Sequence, residues 1–396
     1  MSRILKKPKK LLRIIFFYTC KILFPIKEKV IVFESSVGRS YTGNPRAIYE
    51  EMIRNGMDRE CVMVWSLNDV GLEVMGNCRK VQREGFLYAY YLAVAKYWIF
   101  DGRHPRYFVK RRGTTYLQTW HGTPLKKIGL DLDWVHMNRK DSIEAYKKAF
   151  LKNVNQWDIL LSQNNYSSKI FRKAFHFNKS IVEIGYPRND RLLNTDTNIE
   201  RERLKRERGW TNKRIVLYAP TWRDDKHLVD NVYDFDLYLD NKRFIESFDE
   251  DVILVIRAHY LNVIPKYRDS SGRVVVSDPQ DDLRDLMVMS DLLITDYSSI
   301  MFDYSLLSRP MVFFAYDVEY YRDKLRGFYF DLSDVAPGPI VTDNESLIEA
   351  LQGILLNEKK YWERYGERYF SFRNTFNHAD NGKASQKVIQ LLFNHQ

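Results

Sequence analysis

Two histidines stand where a parallel sheet would place reactive groups. His121 lies in the run QTWHGTPLK and His259 lies in RAHY, and each run directly follows a predicted buried strand. Histidine is the side chain best suited to exchange a proton near neutral pH. A histidine in such a turn can equally satisfy a local backbone group. We interpret His121 as a candidate catalytic base and His259 as a candidate catalytic or charge-binding residue.

A second cluster of polar residues suits phosphate groups. In the run SDLLITDYSS, Thr295, Ser298 and Ser299 lie between a buried strand and a predicted helix. Free backbone N–H groups and the helix dipole favour an anion at a helix start. Helix capping explains one serine or aspartate there, but it explains four polar side chains in five residues less well. We therefore expect these three residues to bind phosphate.

Arg223, in the run YAPTWRDD, is a candidate phosphate clamp. A guanidinium can hold two phosphate oxygens at once. The alternative is an ion pair with Asp224 or Asp225. The sequence contains no G-x-G-x-x-G and no G-x-x-x-x-G-K-[ST], so neither a dinucleotide fingerprint nor a P-loop is predicted. No residue pattern has metal-ligand spacing, and no metal site is predicted.

Short apolar runs alternate with helical patterns, which is typical of parallel sheets covered by helices on both faces. The predicted strands are 30–33, 61–65, 98–100, 116–119, 159–161, 214–218, 252–256, 274–276, 292–295 and 311–314. The predicted helices are 45–54, 86–96, 142–154, 282–289 and 299–307. Two open α/β domains are expected to leave a cleft beyond the carboxyl ends of their strands.

The domain limits follow from composition. The stretch 194–213 is polar and rich in charge, and we interpret it as a solvated helix and connection. The predicted segments are 1–28, 29–194, 195–213 and 214–396. A length of 396 residues agrees with two domains. The three cysteines are odd in number and lack metal spacing, which disfavours a disulfide framework and a zinc ribbon and fits a reducing compartment.

The positive charge is concentrated at the N-terminus. Residues 1–30 hold nine Lys/Arg and one acidic residue, so they carry +8 of the total +11, and the remainder carries +3. This distribution disfavours a nucleic-acid partner. One helical face would hold Leu12, Ile15, Phe16, Thr19, Ile22 and Leu23, and the other Lys10, Arg13, Phe17 and Lys21.

A basic amphipathic helix of this kind is predicted to lie in the interface of an anionic membrane. Its uninterrupted apolar run, 14–20, is far shorter than the roughly 20 residues that span a bilayer. Two alternatives remain, a cleaved signal peptide and a helix packed on its own domain.

Five motifs in this order resemble the CDP-glycerol glycerophosphotransferase family of teichoic acid synthesis: QTWHGTPLK, GYPRND, YAPTWRDD, RAHY and SDLLITDYSSIMFDY. The resemblance covers about residues 30–375. It implies a GT-B-like α/β fold, with two Rossmann-like domains whose parallel sheets face a central cleft. The first domain would take the acceptor and the second CDP-glycerol. Peripheral, monotopic attachment to the cytoplasmic face of the cell membrane is also implied.

The resemblance assigns a reaction and roles. Glycerol phosphate would pass from CDP-glycerol to a hydroxyl of an undecaprenyl-diphosphate-linked disaccharide, with CMP leaving and no cofactor or metal required. His121 matches the base. The residues expected at the donor phosphates are Arg223, His259, Thr295, Ser298 and Ser299. Asp303 is expected at the ribose, and Asn44 and Arg46, in the first βα loop, are expected at the acceptor.

Other functions remain open at this stage. The short basic N-terminus favours a primase that adds the first glycerol phosphate. Poly(glycerol phosphate) and ribitol-phosphate polymerases share the motifs, and nucleotide-sugar glycosyltransferases share the fold. Outside the enzymes, a membrane-bound scaffold that only binds nucleotide or lipid-linked glycan is possible. A homo-oligomer and a complex with other teichoic acid enzymes are both compatible with the sequence.

Overall fold

The computed structural model describes residues 3–133, 142–221, 223, 227–229, 232–234, 238–257, 262–263, 271–278 and 280–393. The chain forms two compact units. The first comprises Met1–His121, Glu144–Arg191 and Ala379–Gln396, and the second comprises Gly122–Ile143 and Leu192–His378. The predicted segments treat each domain as continuous along the chain. The structure differs from them most at the C-terminus, where the last residues belong to the first unit.

The first unit contains a seven-stranded parallel sheet. Its strands are β1 (Lys27–Glu34), β2 (Val62–Leu67), β3 (Arg79–Gln82), β4 (Ala95–Phe100), β5 (Thr115–Gln118), β6 (Ile159–Ser162) and β7 (Ser180–Glu183). Their spatial order is β3-β2-β1-β4-β5-β6-β7. The order reverses between β1 and β4, and in open α/β sheets the carboxyl ends beside such a reversal form the ligand-binding crevice.

Helices flank this sheet. In chain order they are α1 (Arg3–Leu23), α2 (Gly43–Arg54), α3 (Phe86–Val94), α4 (Ile143–Val154), α5 (Asn165–Ala174) and the short α6 (Asp190–Asn194). The C-terminal helix α15 (Ala384–Phe393) returns to this unit. Its Val388 and Leu392 are buried in the same apolar cluster as Ile31 and Trp65. This burial explains why the C-terminus belongs to the first unit.

The second unit contains a six-stranded parallel sheet and a small three-stranded sheet. The strands are β8 (Arg214–Ala219), β9 (His227–Val229), β10 (Val232–Asp234), β11 (Val252–Ile256), β12 (Asn262–Val263), β13 (Val274–Val276), β14 (Leu292–Thr295), β15 (Met311–Phe314) and β16 (Ile340–Val341). The large sheet has the order β13-β11-β8-β14-β15-β16, and the small one β12-β10-β9. The strand order again reverses, here between β8 and β14.

The helices of the second unit are α7 (Thr197–Glu207), α8 (Asn241–Ser247), α9 (Leu283–Met289), α10 (Ile300–Tyr304), α11 (Val318–Tyr320), α12 (Leu332–Val335), α13 (Asn344–Leu356) and α14 (Glu358–Asn377). Aspartates begin several of them: the carboxylates of Asp196, Asp240 and Asp282 accept backbone N–H groups of the first turns of α7, α8 and α9. The stretch predicted as a connection contains α7, whose Lys205 pairs with Asp291 at 2.9 Å.

The predicted α/β class is confirmed. All ten predicted strands and all five predicted helices correspond to elements of the structure. The prediction missed six strands: β9, β10 and β12, which form the small sheet, and β3, β7 and β16, which lie at edges of the two large sheets. These edge strands are only partly buried, so they lack the continuous apolar run that marks a strand covered on both faces.

The basic N-terminal segment forms α1, and one side of it packs on the first unit. Phe17 and Cys20 are buried, and the Phe17 ring lies 4.9 Å from that of Phe108. The cationic side of the helix bonds to the same unit: Arg13 donates to the carbonyl of Glu84, and Lys21 donates to that of Val109 at 2.9 Å. The side that faces solvent carries large apolar residues, Leu12, Ile15, Ile22 and Leu23, and near its start the exposed Lys9 and Lys10. Within the described residues, no helix is both long and apolar enough to cross a membrane.

Candidate active site

The turn that carries His121 follows β5 at the carboxyl edge of the first sheet. The Nδ1 atom of His121 lies 2.9 Å from the carbonyl oxygen of Asp101, which follows β4. A carbonyl only accepts hydrogen bonds, so Nδ1 carries the hydrogen and Nε2 keeps its lone pair. The indole of Trp120 stacks on the imidazole with ring centroids 4.6 Å apart. The arrangement presents Nε2 as the basic atom of the ring.

The surroundings of His121 keep the ring neutral. Desolvation by the surrounding protein lowers the pKa of the imidazole from its usual 6.5, although the residue as a whole is exposed to solvent. The hydrogen bond to the Asp101 carbonyl acts in the opposite direction, and the positive charges of Arg188 and Arg103 lower the pKa further. A histidine with a pKa below 6.5 is mostly neutral at pH 7, which is the form that accepts a proton.

Asn44 does not present its amide to a ligand, contrary to its predicted place at the acceptor. The side chain is 1% exposed, and its Nδ2 donates to the carbonyls of Thr119 at 3.1 Å and Trp120 at 3.0 Å. Its Oδ1 accepts the backbone N–H of Arg188 at 3.1 Å. These contacts account for both ends of the amide, so Asn44 shapes the His121 turn instead.

Arg46, the other residue expected at the acceptor, lies on α2. Its Nε donates to Glu50 at 2.5 Å, and its guanidinium lies 4.7 Å from the centre of the Tyr41 ring. The side chain is 21% exposed. An acceptor contact of Arg46 stays a prediction.

In the second unit, Arg223 is held by two carboxylates. Its Nε and Nη2 donate to the two oxygens of Asp317, each at 2.8 Å, and its Nη1 donates to Asp296 at 2.9 Å and to the carbonyl of Thr221. Burial alone would lower the pKa of this guanidinium, but the charges of Asp296 and Asp317 outweigh it and raise the pKa. Asp224 and Asp225, the partners considered in the sequence analysis, lie outside the described residues.

An aromatic cage surrounds the same guanidinium. The rings of Tyr297, Tyr316 and Tyr321 lie 4.9–5.4 Å from its central carbon. With 8% of its surface exposed, Arg223 would have to give up a buried ion pair to hold a phosphate. The geometry therefore favours a structural clamp over the predicted phosphate clamp.

The predicted phosphate ligands after β14 differ in what they offer. Thr295 is fully buried, and its hydroxyl donates to the carbonyl of Ala219 at 2.8 Å, so it does not face a ligand. Ser298 and Ser299 are partly exposed. Ser298 accepts the N–H of Ile300 at 3.5 Å, whereas the hydroxyl of Ser299 makes no capping bond. The two serines are the members of this group that can reach a ligand.

Two further predicted residues cannot be placed at a ligand. Asp303 lies one turn into α10 and is 4% exposed, so its carboxylate is not presented to a ribose. His259 lies outside the described residues. In the part of the chain that the structure describes, no group of three His, Cys, Asp or Glu side chains is placed to hold a metal ion.

The family model described as CDP-Glycerol:Poly(glycerophosphate) glycerophosphotransferase matches residues 16–394. The chain belongs to this family. CDP-glycerol as donor is consistent with that description, and the protein is an enzyme, a glycerophosphotransferase.

Two relatives and one solved structure, all of teichoic acid synthesis, are similar to this chain over nearly their whole lengths. The teichoic acid poly(glycerol phosphate) polymerase of Bacillus spizizenii is 40% identical, with 99% of each chain covered. The teichoic acid glycerol-phosphate transferase of Staphylococcus aureus is 37% identical, over 97% of this chain and 98% of its own. The solved structure of the wall teichoic acid polymerase TagF is similar with a TM-score of 0.89 and 36% identity, covering 99% of this chain and 95% of that one. The expected GT-B-like α/β class is confirmed by this likeness.

Two site residues of the glycerophosphotransferase escaped the sequence analysis, Asp317 and Arg188. Asp317 follows β15 by three residues, which is the same strand-end position that drew attention to the other clusters. Arg188 lies in GYPRND, which the sequence analysis used only as one of the five motifs of the family resemblance. Its Nη1 donates to the carbonyl of His121 at 2.7 Å. The sequence feature that could have indicated a role for Arg188 is its position as a basic residue in a turn that contains Gly and Pro.

Proposed function

We propose that this protein transfers glycerol phosphate from CDP-glycerol to the terminal hydroxyl of a poly(glycerol phosphate) chain carried on an undecaprenyl-diphosphate-linked disaccharide. The description of the family names both CDP-glycerol and poly(glycerophosphate), which supports the donor and the acceptor. The carrying observation is the His121 turn, in which one ring nitrogen bonds to a carbonyl and the other stays basic.

The reaction balances with His121 as the base. Its Nε2 removes the proton of the acceptor hydroxyl, and the oxygen attacks the phosphorus that bears glycerol. A new P–O bond forms, and the bond between this phosphorus and the bridging oxygen of CMP breaks. CMP leaves with that oxygen. Phosphoryl transfer depends chiefly on positioning and on neutralising charge, so few other groups need to react.

The second unit supplies the donor site in this proposal. Ser298 and Ser299 donate hydroxyl hydrogen bonds to the donor phosphates, and His259 remains a proposed phosphate ligand. Arg223 acts indirectly, because it ties Thr221 and Asp296 to Asp317 beside these serines. The proposal needs no metal or cofactor.

Chain extension is preferred to priming. The sequence analysis favoured a primase because only a basic helix precedes the catalytic part. The B. spizizenii polymerase is covered over 99% of its own length, so a protein of this extent carries the name of a polymerase. Length therefore gives no reason to prefer a primase.

Donor and product identify the reaction in one assay. We expect CMP release from CDP-glycerol, and not from CDP-ribitol or UDP-sugars, when the purified protein is given vesicles with a disaccharide-diphosphate lipid that already bears glycerol phosphate. Mass spectrometry should find a ladder spaced by one glycerol phosphate. A single addition would indicate a primase, release from CDP-ribitol alone would change the polyol, and no release from any donor would contradict a transferase.

The same proposal places the protein on the cytoplasmic face of the cell membrane as a peripheral protein. On α1, Ile15, Ile22 and Leu23 are 54–83% exposed, although they are large and apolar. Phe86 and Leu87 of α3, which packs beside α1, are 50% and 62% exposed. So many large apolar residues exposed on two neighbouring helices are unusual on a protein that meets only water. The exposed apolar residues, rather than the lysines, would then enter the bilayer interface.

Introducing negative charge on this apolar surface tests the attachment. Because burying one such side chain contributes about 1.5–3 kcal/mol, the double variant Ile15→Glu, Ile22→Glu should sediment with anionic vesicles at least about tenfold less. Leu356→Glu is the control, since Leu356 is 89% exposed on α13 and lies outside this surface. Unchanged sedimentation of the double variant would place the attachment elsewhere.

A further inference from the structure

The turn before His121 contains a strained residue. Trp120 has φ of +52°, in the left-handed region that costs a residue with a side chain about 1–2 kcal/mol. Its N–H donates to the Oε1 of Gln118 at 3.0 Å, and Gln118 in turn donates to the carbonyl of Gly102 at 3.0 Å. A strained backbone persists only where its surroundings hold it. The orientation of the imidazole therefore depends on the groups that bind this turn.

Two residues hold three successive carbonyls of the turn. Asn44 donates to the carbonyls of Thr119 and Trp120, and Arg188 donates to that of His121. The two residues are linked, because the backbone N–H of Arg188 donates to Asn44 Oδ1. The amide and the guanidinium thus form one continuous clamp on the backbone on both sides of the strained residue.

The segment of Arg188 is itself anchored by the C-terminal part of the chain. The carboxylate of Asp380 accepts the N–H of Tyr186 at 2.9 Å, the amide of Asn189 at 3.2 Å and that of Gln163 at 2.9 Å. These bonds lie within the first unit. The guanidinium also lies 5.1 Å from the centre of the Tyr186 ring. Arg188 is therefore presented from a rigid support.

We propose that Arg188 and Asn44 are positioning residues for His121, and that Arg188 in addition places its positive charge beside the turn that carries the imidazole. The inference rests on the proposed function in that His121 is taken as the base. Neither residue needs to touch substrate. A displacement of about 1 Å at a reacting group can cost about a hundredfold in rate, so a clamp on the turn acts on catalysis directly.

Several charged groups near the His121 turn bear on the electrostatic part of the proposal. Arg188 and Arg103 lower the pKa of His121. Asp101 faces the same turn, and burial raises the pKa of its carboxyl to about 7, while Arg188 opposes that rise. Removing the Arg188 charge should therefore raise both pKa values. The acid limb of the activity profile should move to higher pH, because the inactive, protonated imidazole then persists to higher pH.

Three variants of the full chain separate the two parts of the proposal. Arg188→Met removes both the guanidinium that bonds to the His121 carbonyl and its positive charge. Arg188→Lys removes the planar guanidinium but keeps a positive charge. Arg59→Met is the control, because Arg59 is exposed and makes no side-chain hydrogen bond or ion pair within the described residues. The measurements are kcat and KM for CDP-glycerol across pH, thermal unfolding, and an NMR titration of the ring nitrogens of His121.

We expect Arg188→Met to lower kcat about 10- to 100-fold with little change in KM, and to move the acid limb to higher pH. Arg188→Lys should keep the wild-type pH profile and still lose kcat. A kcat and a pH profile equal to those of the wild type would overturn the inference. So would a loss of activity that merely follows a lower melting temperature with no shift of the limb.

The NMR titration keeps this test separate from the test of function. A higher pKa for His121 in Arg188→Met supports the inference even if no donor is turned over. If the pKa is unchanged and Nδ1 remains the protonated nitrogen of the neutral ring, as in the wild type, the inference is overturned. If the wild type releases no CMP from any donor, the proposed function fails by itself. If the wild type is active and the Arg188 variants behave in the same way as the wild type, the inference alone fails.

Discussion

Replacing His121 with alanine is expected to lower kcat for CMP release by about 10²–10⁴-fold, the usual loss when a general base is removed. The physical reason is the ring arrangement. Nδ1 is bound to the Asp101 carbonyl, so Nε2 is the single basic atom that the turn presents. The variant should still bind CDP-glycerol, because the proposed phosphate ligands lie in another part of the chain. Initial rates of CMP release and the rise in melting temperature with CDP-glycerol measure the two properties.

The same residue predicts a pH dependence with a defined sign. The base must be neutral to accept a proton, so activity should fall as the pH drops through the pKa of His121. Desolvation and two arginines lower that pKa, which places the midpoint of the acid limb below about 6.5. A midpoint clearly above that value would contradict the assigned surroundings of the ring.

His176→Ala is the matched control for His121→Ala. His176 is an exposed histidine of the same unit, in the segment after α5, and it has no part in the proposed site. Its replacement should leave kcat unchanged. If His121→Ala retained wild-type turnover, the base would have to be another group, and His259 would be the next residue to replace.

The sequence was sufficient for the elements that lie at the centre of each sheet. Strands such as β1, β8 and β14 are buried on both faces, so each appears as an apolar run, and parallel sheets place the polar residues that follow such strands at one edge. His121, Ser298 and Ser299 were found in this way. The edge strand β3, with one buried residue in four, carries no comparable pattern.

Long-range partners could not be predicted from spacing. Arg223 was expected to hold phosphate or to pair with its neighbours in sequence, yet its bidentate partner Asp317 is 94 residues away. Asn44 was expected at a ligand, but its amide is occupied by residues 75 to 144 positions further along the chain. A single sequence reveals the type of a side chain and its local element. Whether its donors are already used is decided by contacts between distant segments.

The ion-pair network of Arg223 makes the second large prediction. Arg223→Met should destabilise the second unit by about 3–5 kcal/mol, since it leaves the carboxylates of Asp296 and Asp317 without their cation in a largely buried place. Methionine keeps the unbranched apolar stem among the tyrosine rings, so the loss reports the missing charge rather than a cavity. Urea unfolding followed by tryptophan fluorescence measures the change.

Arg243→Met is the control for that substitution, because the ion pair of Arg243 with Glu345 spans 3.8 Å between exposed side chains and should contribute little. The outcome also decides between the two roles considered for Arg223. If Arg223 were a phosphate clamp, it would contribute little to the stability of the fold. Its replacement would then raise KM for CDP-glycerol and leave the free energy of unfolding unchanged. If Arg223 is a structural clamp, the opposite is expected: the free energy of unfolding falls, and KM for CDP-glycerol is unchanged under conditions in which the variant remains folded. The two carboxylates and three aromatic rings around the guanidinium favour the second result. To bind a phosphate, Arg223 would have to break its ion pairs with Asp296 and Asp317, and two buried carboxylates without a cation would cost more free energy than the phosphate contact would supply.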